Sequence, residues 1–173
     1  MGMRFRFKVV LVGDEAVGKT SLILRYIDNT FNENYTPTLG VNFLVKDLEL
    51  YGTTRLIIWD IGGQESWKAK LHIYLKGADG AILVFDLTRP TTFLSLEEWV
   101  QKVHDITGKE TPFIIVGNKN DLTDLCRVKD KEIKKFLKKQ KHSTFFKSSA
   151  KTGENVEKFF EDIARKIIRY RAK

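Results

Sequence analysis

An α/β fold, with a mostly parallel sheet covered on both faces by helices, is predicted by three features of this sequence. Strand-like apolar runs alternate with helical patterns along the chain. The runs at residues 81–86 and 113–118 are almost continuously apolar, as befits strands buried on both faces. Between the first run and the first helical pattern stands Gly13-Asp14-Glu15-Ala16-Val17-Gly18-Lys19-Thr20, which fits the phosphate-cradling pattern G-x-x-x-x-G-K-[ST].

Taken in order, the first strand is expected over residues 6–12. A helix carrying Leu22, Ile23, Tyr26 and Ile27 on one face follows. Two strands, 43–50 and 54–59, are joined at Tyr51-Gly52-Thr53, a hairpin signal that makes this pair antiparallel. The strand at 81–86 leads to a helix over 91–107, with Phe93, Leu96, Val100 and Val103 turned inward. The strand at 113–118 is followed by a helix over 130–141 with Ile133, Phe136 and Leu137. A short strand follows at 144–147. The final helix has the clearest period: Val156, Phe159, Phe160, Ile163, Ala164, Ile167 and Ile168 recur at i, i+3, i+4 and i+7.

The 173 residues suit one domain with a substantial core, and 42% hydrophobic with 30% charged content is ordinary for a soluble globular chain. No apolar run approaches the roughly 20 residues that span a bilayer, and no signal-peptide pattern precedes the first strand. The single cysteine, Cys126, excludes an internal disulfide and fits a reducing, cytoplasmic setting. Charge is unevenly placed: residues 127–173 hold 16 Lys and Arg against 6 Asp and Glu, while residues 1–126 hold 14 against 16. The basic C-terminal part makes an anionic membrane surface a candidate partner. A solvated helix face is the plainer reading, and no nucleic-acid partner is expected.

In a parallel sheet the ligand sits beyond the carboxyl ends of the strands. Four sets of suitable residues fall there. At the first, backbone N–H groups and the helix dipole favour phosphate; Lys19 would reach the β- and γ-phosphates and the Thr20 hydroxyl would meet Mg²⁺. At the second, Asp60 emerges from an apolar strand and can hold Mg²⁺, usually through water; Gly63 would let the backbone approach a γ-phosphate, and Gln64 would orient an attacking water. At the third, Asn118-Lys119-Asn120-Asp121 ends a strand. One carboxylate at Asp121 can accept from guanine N1–H and its 2-amino group, a donor pair adenine lacks. At the fourth, Ser148-Ser149-Ala150-Lys151 offers a backbone N–H to the guanine 6-oxygen. Asn, Asp and Ser are also ordinary turn formers, but four such turns at successive strand ends point to one pocket.

With their order and spacing, GDEAVGKT, WDIGGQE, NKND and SAK resemble the Ras superfamily of small GTPases over nearly the whole chain. Segments 35–43, 55–65 and 74–88 look most like the Rab branch. Ile61-Gly62-Gly63 has Arf-like character, and Asn42 stands where Rab proteins usually carry Asp. The resemblance implies a three-layer P-loop GTPase fold with a six-stranded sheet, one antiparallel strand and a single domain over 1–173. It implies a monomeric switch that binds GTP and GDP with Mg²⁺ and hydrolyses GTP slowly, in membrane trafficking or signalling. It places the nucleotide among Gly13, Asp14, Glu15, Ala16, Val17, Gly18, Lys19, Thr20, Ser21, Phe31, Tyr35, Thr38, Gly63, Asn118, Lys119, Asp121, Leu122, Ser149, Ala150 and Lys151. Catalysis would fall to Gln64, Lys19 and Thr38, and Mg²⁺ to Thr20, Thr38 and Asp60. Phe31 would pack edge-on against the base, and Lys119 would lie along it and brace the P-loop. Phe43, Trp59 and Tyr74 resemble the aromatic triad shown to effectors, although core aromatics would read the same way. An exchange factor and a GTPase-activating protein are the other implied partners.

Two departures bear on function. Glu15 replaces the usual Ser or Gly, placing a carboxylate near the γ-phosphate region where it would hamper an activating protein's arginine finger. The final Arg169-Tyr170-Arg171-Ala172-Lys173 has no prenylatable cysteine, so either a lipidated tail lies outside this chain or membrane contact is electrostatic and peripheral. Two other functions fit less well. A small-molecule kinase would need an acceptor pocket and an arginine-rich lid, and no inserted segment supplies them. A nucleotide-binding interaction module with little or no hydrolysis is kept open by Glu15.

Overall fold

The computed structural model describes residues 4–34, 37–62, 69–141 and 143–173. Within them one sheet is built from β1 (Arg4–Val12), β2 (Val41–Glu49), β3 (Thr53–Ile61), β4 (Gly80–Asp86), β5 (Phe113–Asn118) and β6 (Thr144–Lys147), in the order β2-β3-β1-β4-β5-β6. Every neighbouring pair is parallel except β2 with β3. The hairpin turn falls one residue earlier than its sequence suggests. Thr53 already pairs with Glu49, and the reversal is made by Leu50, Tyr51 and Gly52, the last two at positive φ.

The helices are α1 (Lys19–Asp28), α2 (Leu71–Leu75), α3 (Pro90–Leu94), α4 (Leu96–Thr107), α5 (Asp130–Lys139) and α6 (Val156–Arg171). Side chains of β1 alternate between the two faces of the sheet, as a period of two requires. Phe7, Val9 and Leu11 join α1 and α6 in one core, through Leu22, Ile23, Phe159, Phe160 and Ile163. Val10 and Val12 join a second core on the opposite face, with Leu96, Val100 and Val103 of α4 and Ile133 of α5. All residues of β4 and β5 are buried, which explains their nearly unbroken apolar runs. The apolar stripe of α6 is anchored by Phe160, whose ring stacks on Tyr26 of α1 at 4.1 Å.

Two elements depart from the sequence expectation. The pattern over 91–107 divides at Ser95, which caps both pieces and whose hydroxyl donates back to the Thr91 carbonyl at 3.0 Å alongside the ladder bond of its own amide. The five-residue α2 buries only Leu71 and Leu75, too few apolar positions to show a period. Among the described residues no helix is long and apolar enough to cross a membrane.

Candidate functional site

Because β1, β3, β4, β5 and β6 run parallel, their carboxyl ends share one edge of the sheet, and the loops leaving β1, β3, β5 and β6 surround a cavity of about 550 Å³. Its wall includes Glu15, Ala16, Gly18, Lys19, Thr20, Ser21, Phe31, Thr38, Asn118, Lys119, Asp121, Leu122, Ala150 and Lys151. The sequence also pointed to Gly13, Asp14, Val17 and Ser149, which are not among the lining residues. Tyr35, Gly63 and Gln64 lie outside the described residues. Gly62 of the WDIGGQE motif lines the cavity too, as do Leu24, Thr30, Asn32, Glu33 and Asn34, which no motif announced.

The loop after β1 has its carbonyls held one by one. Lys19 Nζ donates to the Gly13 and Asp14 carbonyls, both at 2.8 Å. Arg89 Nη2 donates to the Glu15 carbonyl at 2.7 Å, Lys119 Nζ to Ala16 at 2.9 Å and Asn118 Nδ2 to Val17 at 2.9 Å. The Gly18 carbonyl accepts from the Leu22 amide at 2.9 Å, the first turn of α1. With its carbonyls engaged by the surrounding protein, the loop is left to present N–H groups, which is the arrangement an anion needs. The Asp14 carboxylate is engaged elsewhere, accepting from Trp99 Nε1 at 2.9 Å. Glu15 is exposed at the cavity wall.

Close packing explains the first glycine. A Cβ at Gly13, where φ is +147°, would stand 2.1 Å from the Val84 carbonyl oxygen of β4. Gly13→Ala is therefore expected to lower stability by about 3 kcal/mol or more, since a backbone atom rather than a flexible side chain must move. Chemical denaturation of the variant beside the unaltered chain checks this.

Lys19 is only 6% exposed, and burial lowers its ammonium pKa to about 8 despite the opposing charges of Asp60, Asp14 and Glu15. Beside it, Thr20 Oγ1 lies 2.5 Å from both Asp60 Oδ2 and Thr38 Oγ1. Thr20 donates to the carboxylate. Asp60 is 1% exposed, and its Oδ1 has no hydrogen-bond partner among the described residues. Burial raises its pKa, against the hydrogen bonds of Thr20 and Thr38 and the charge of Lys19. An orphaned carboxylate oxygen beside two hydroxyls is a hard-oxygen donor set. It fits Mg²⁺, which takes few protein ligands and completes its shell with phosphate and water.

At the other end of the cavity, Asn118 is buried and bridges two loops. Its Nδ2 holds Val17, while its Oδ1 accepts the Ala150 amide at 3.2 Å. Asp121 Oδ1 accepts from Ser149 Oγ at 2.6 Å. Lys119, at φ +67°, sends its ammonium back to the P-loop and to Asp86 Oδ2 at 2.7 Å. Burial would push the Asp86 carboxyl up, but hydrogen bonds from Lys119 and Thr88 outweigh it and hold the group below its usual range. Sequence reading missed Asp86, although its place at the end of a fully buried strand is the same signal that singled out Asp60.

The three aromatics lie together only in part. Phe43 and Trp59 are register partners across β2 and β3, and their rings stack at 5.8 Å. Phe43 is 60% exposed, whereas Trp59 and Tyr74 are half-buried against the second core. Lys8 Nζ stands 4.0 Å from the Trp59 ring centroid, a cation–π contact.

A glycine-bounded loop with its carbonyls engaged, a buried lysine and a hydroxyl–carboxylate cluster at the ends of parallel strands define a P-loop nucleotide-binding protein. The chain belongs to the Ras family, whose sequence model matches residues 8–169. It is 38% identical to Ras-related protein Rab-1 of Theileria annulata over 165 residues, covering 94% of this chain and 74% of that protein. It is 39% identical to Ras-related protein Rab-21 of Bos taurus over 170 residues, covering 96% and 75%. Ras-related protein RABA1h of Arabidopsis thaliana is 37% identical over 166 residues, covering 95% and 76%. The chain is a Rab-like small GTPase, an enzyme that hydrolyses GTP.

Proposed function

We propose that this chain is a one-domain guanine-nucleotide switch over residues 1–173, acting as a monomer, that binds GTP and GDP with Mg²⁺ and hydrolyses GTP slowly to GDP and phosphate. The observation that carries this reading is a single cavity bounded by Lys19, Thr20 and Thr38 at one end and by Asn118, Lys119 and Asp121 at the other. Bound Mg²⁺ would neutralise charge on the β- and γ-phosphates, held there by Thr20, Thr38 and Asp60. Lys19 leaves the Gly13 and Asp14 carbonyls for the phosphates and stabilises charge that develops during transfer. Gln64 orients the attacking water, a role taken from the family resemblance. Thr38 and the Gly63 amide contact the γ-phosphate in the triphosphate state alone, so hydrolysis releases the segments around 31–43 and 62–74.

Asp121 accepts from guanine N1–H and the 2-amino group, the 149–151 turn gives an amide to the 6-oxygen, and Phe31 covers the ring edge. An exchange factor, a GTPase-activating protein and effectors meet the switch segments, with Phe43, Trp59 and Tyr74 as the effector surface. The setting is cytoplasmic, at the periphery of trafficking membranes. The exposed lysines of α5 favour an anionic leaflet by about 1 kcal/mol per basic residue near the surface. Glu15 at the cavity wall supports a second reading, a nucleotide-binding interaction module that scarcely hydrolyses.

The test is equilibrium binding of GTP against ATP with Mg²⁺, followed by single-turnover phosphate release with protein in excess. Guanine preference with measurable release supports the switch. Guanine preference without release supports the second reading, and equal binding of the two nucleotides defeats both.

A further inference from the structure

We propose that Arg25 is a positioning residue for guanine recognition, clamping the turn that meets the 6-oxygen to the helix that begins at the phosphates. This rests on the guanine-binding reading above. Arg25 is on α1, whose first turn carries Lys19 and Thr20. Its guanidinium donates from Nε to the Ala150 carbonyl at 2.8 Å and from Nη2 to the Lys151 carbonyl at 2.6 Å. Its Nη1 donates to the Asn29 carbonyl at 3.1 Å and to Asn29 Oδ1 at 3.0 Å, where α1 ends. One planar fork thus grips two successive carbonyls of a turn 125 residues away, a task that needs several donors in fixed geometry.

The clamp closes a ring. From Arg25 the path runs to the Ala150 carbonyl, then through the Ala150 amide to Asn118 Oδ1, and from Asn118 Nδ2 to the Val17 carbonyl. Val17 is in the P-loop, which continues directly into α1 and back to Arg25. The phosphate end and the base end of the cavity are therefore held at one separation by side chains that need not touch the nucleotide.

Peptide geometry supplies the functional consequence. In a trans peptide the C=O of one residue and the N–H of the next point in opposite directions, and no cis peptide occurs among the described residues. Holding the Ala150 carbonyl on Arg25 therefore turns the Lys151 N–H away from Arg25. Holding the Lys151 carbonyl likewise turns the Thr152 N–H away, and that amide is found on Ser149 Oγ at 3.1 Å. Arg25 sets the direction of the donors that the turn can offer the base. The surface ion pair of Lys151 with Glu33 also crosses this wall, but it is exposed on both sides, and such pairs hold little.

The test measures dissociation rates of three diphosphates from the full chain: GDP, 6-thio-GDP, which keeps N1–H but has a weakly accepting sulfur in place of the 6-oxygen, and IDP, which lacks the 2-amino group. Arg25→Ala is expected to speed GDP release about tenfold, the worth of one well-formed neutral hydrogen bond. Release of 6-thio-GDP should scarcely change, so the penalty for replacing the 6-oxygen shrinks. The GDP-to-IDP ratio, which reports Asp121, should stay as in the unaltered chain. Arg25→Lys keeps the charge but cannot span both carbonyls, so it should fall between the two, and it decides the matter if Arg25→Ala does not fold. Equal acceleration of all three nucleotides, or none, would overturn the positioning role. A lack of guanine preference in the unaltered protein would instead remove the guanine reading on which the proposal stands.

Discussion

Asp121→Ala is expected to bind GDP roughly 10²- to 10⁴-fold more weakly than the unaltered chain, because two charge-assisted hydrogen bonds of about 1.5–3 kcal/mol each are removed together. Affinity for ADP should change far less, since adenine has no donor pair to lose on that edge. Discrimination between the two nucleotides should therefore collapse, while the contribution of the phosphates persists. The carboxylate is already oriented for this work: Ser149, itself buried, donates to Oδ1 and fixes its rotamer. The variant leaves that hydroxyl without its acceptor, so a small loss of stability accompanies the loss of selectivity. Competition titrations with GDP and ADP on both proteins check the result. An unchanged guanine preference would dissociate Asp121 from base recognition.

Lys19→Ala should be as damaging at the opposite end of the cavity. The ammonium is nearly enclosed, and losing one member of a buried charge pair costs about 3–5 kcal/mol, so GDP affinity should fall roughly 10²- to 10³-fold or more. The same enclosure sets a pH dependence in the unaltered protein. Burial lowers the pKa from its ordinary value to about 8, so between that pH and the value in the unfolded chain the nucleotide-free protein holds fewer protons than the unfolded chain. Stability of the nucleotide-free form therefore rises as pH climbs through this window, and the penalty for the buried charge applies below it. Nucleotide binding runs the other way, because the phosphates need the charged ammonium and above about pH 8 a proton must be taken up. GDP affinity should be level below pH 8 and fall toward tenfold per unit above it. Isothermal titration between pH 7 and 9 checks this, with Lys19→Ala as the protein in which that slope disappears.

The parts of the site visible in the sequence share one property: each is defined by neighbours along the chain. The glycine-bounded loop before Lys19, Asp60 at the end of an apolar strand, and the Asn118 to Asp121 turn can each be recognised within about ten residues. Burial bears out the helical stripes as well, with the inward positions named for α6 buried or partly buried. What was missed is either too short to show a period or defined by distant partners. The five-residue α2 is of the first kind. Trp99 on Asp14, Arg89 on Glu15, Asp86 on Lys119 and Arg25 on Ala150 are of the second.

By itself the sequence determined the fold class, the alternation of strands and helices, and the chemical character of the four loops. Periodicity, turn residues and motif spacing are local quantities set by dihedral preference and by which side of an element must leave water. The tertiary structure alone decided how those loops are held at their working separation. It brought Arg25 to the turn at Ala150, turned the P-loop carbonyls onto Lys19, Arg89, Lys119 and Asn118, and left one oxygen of Asp60 without a partner among the described residues. Those contacts exist only because parallel strands pair across the sheet and carry their carboxyl ends to one edge, and a pairing between distant segments leaves no mark on the residues beside either partner.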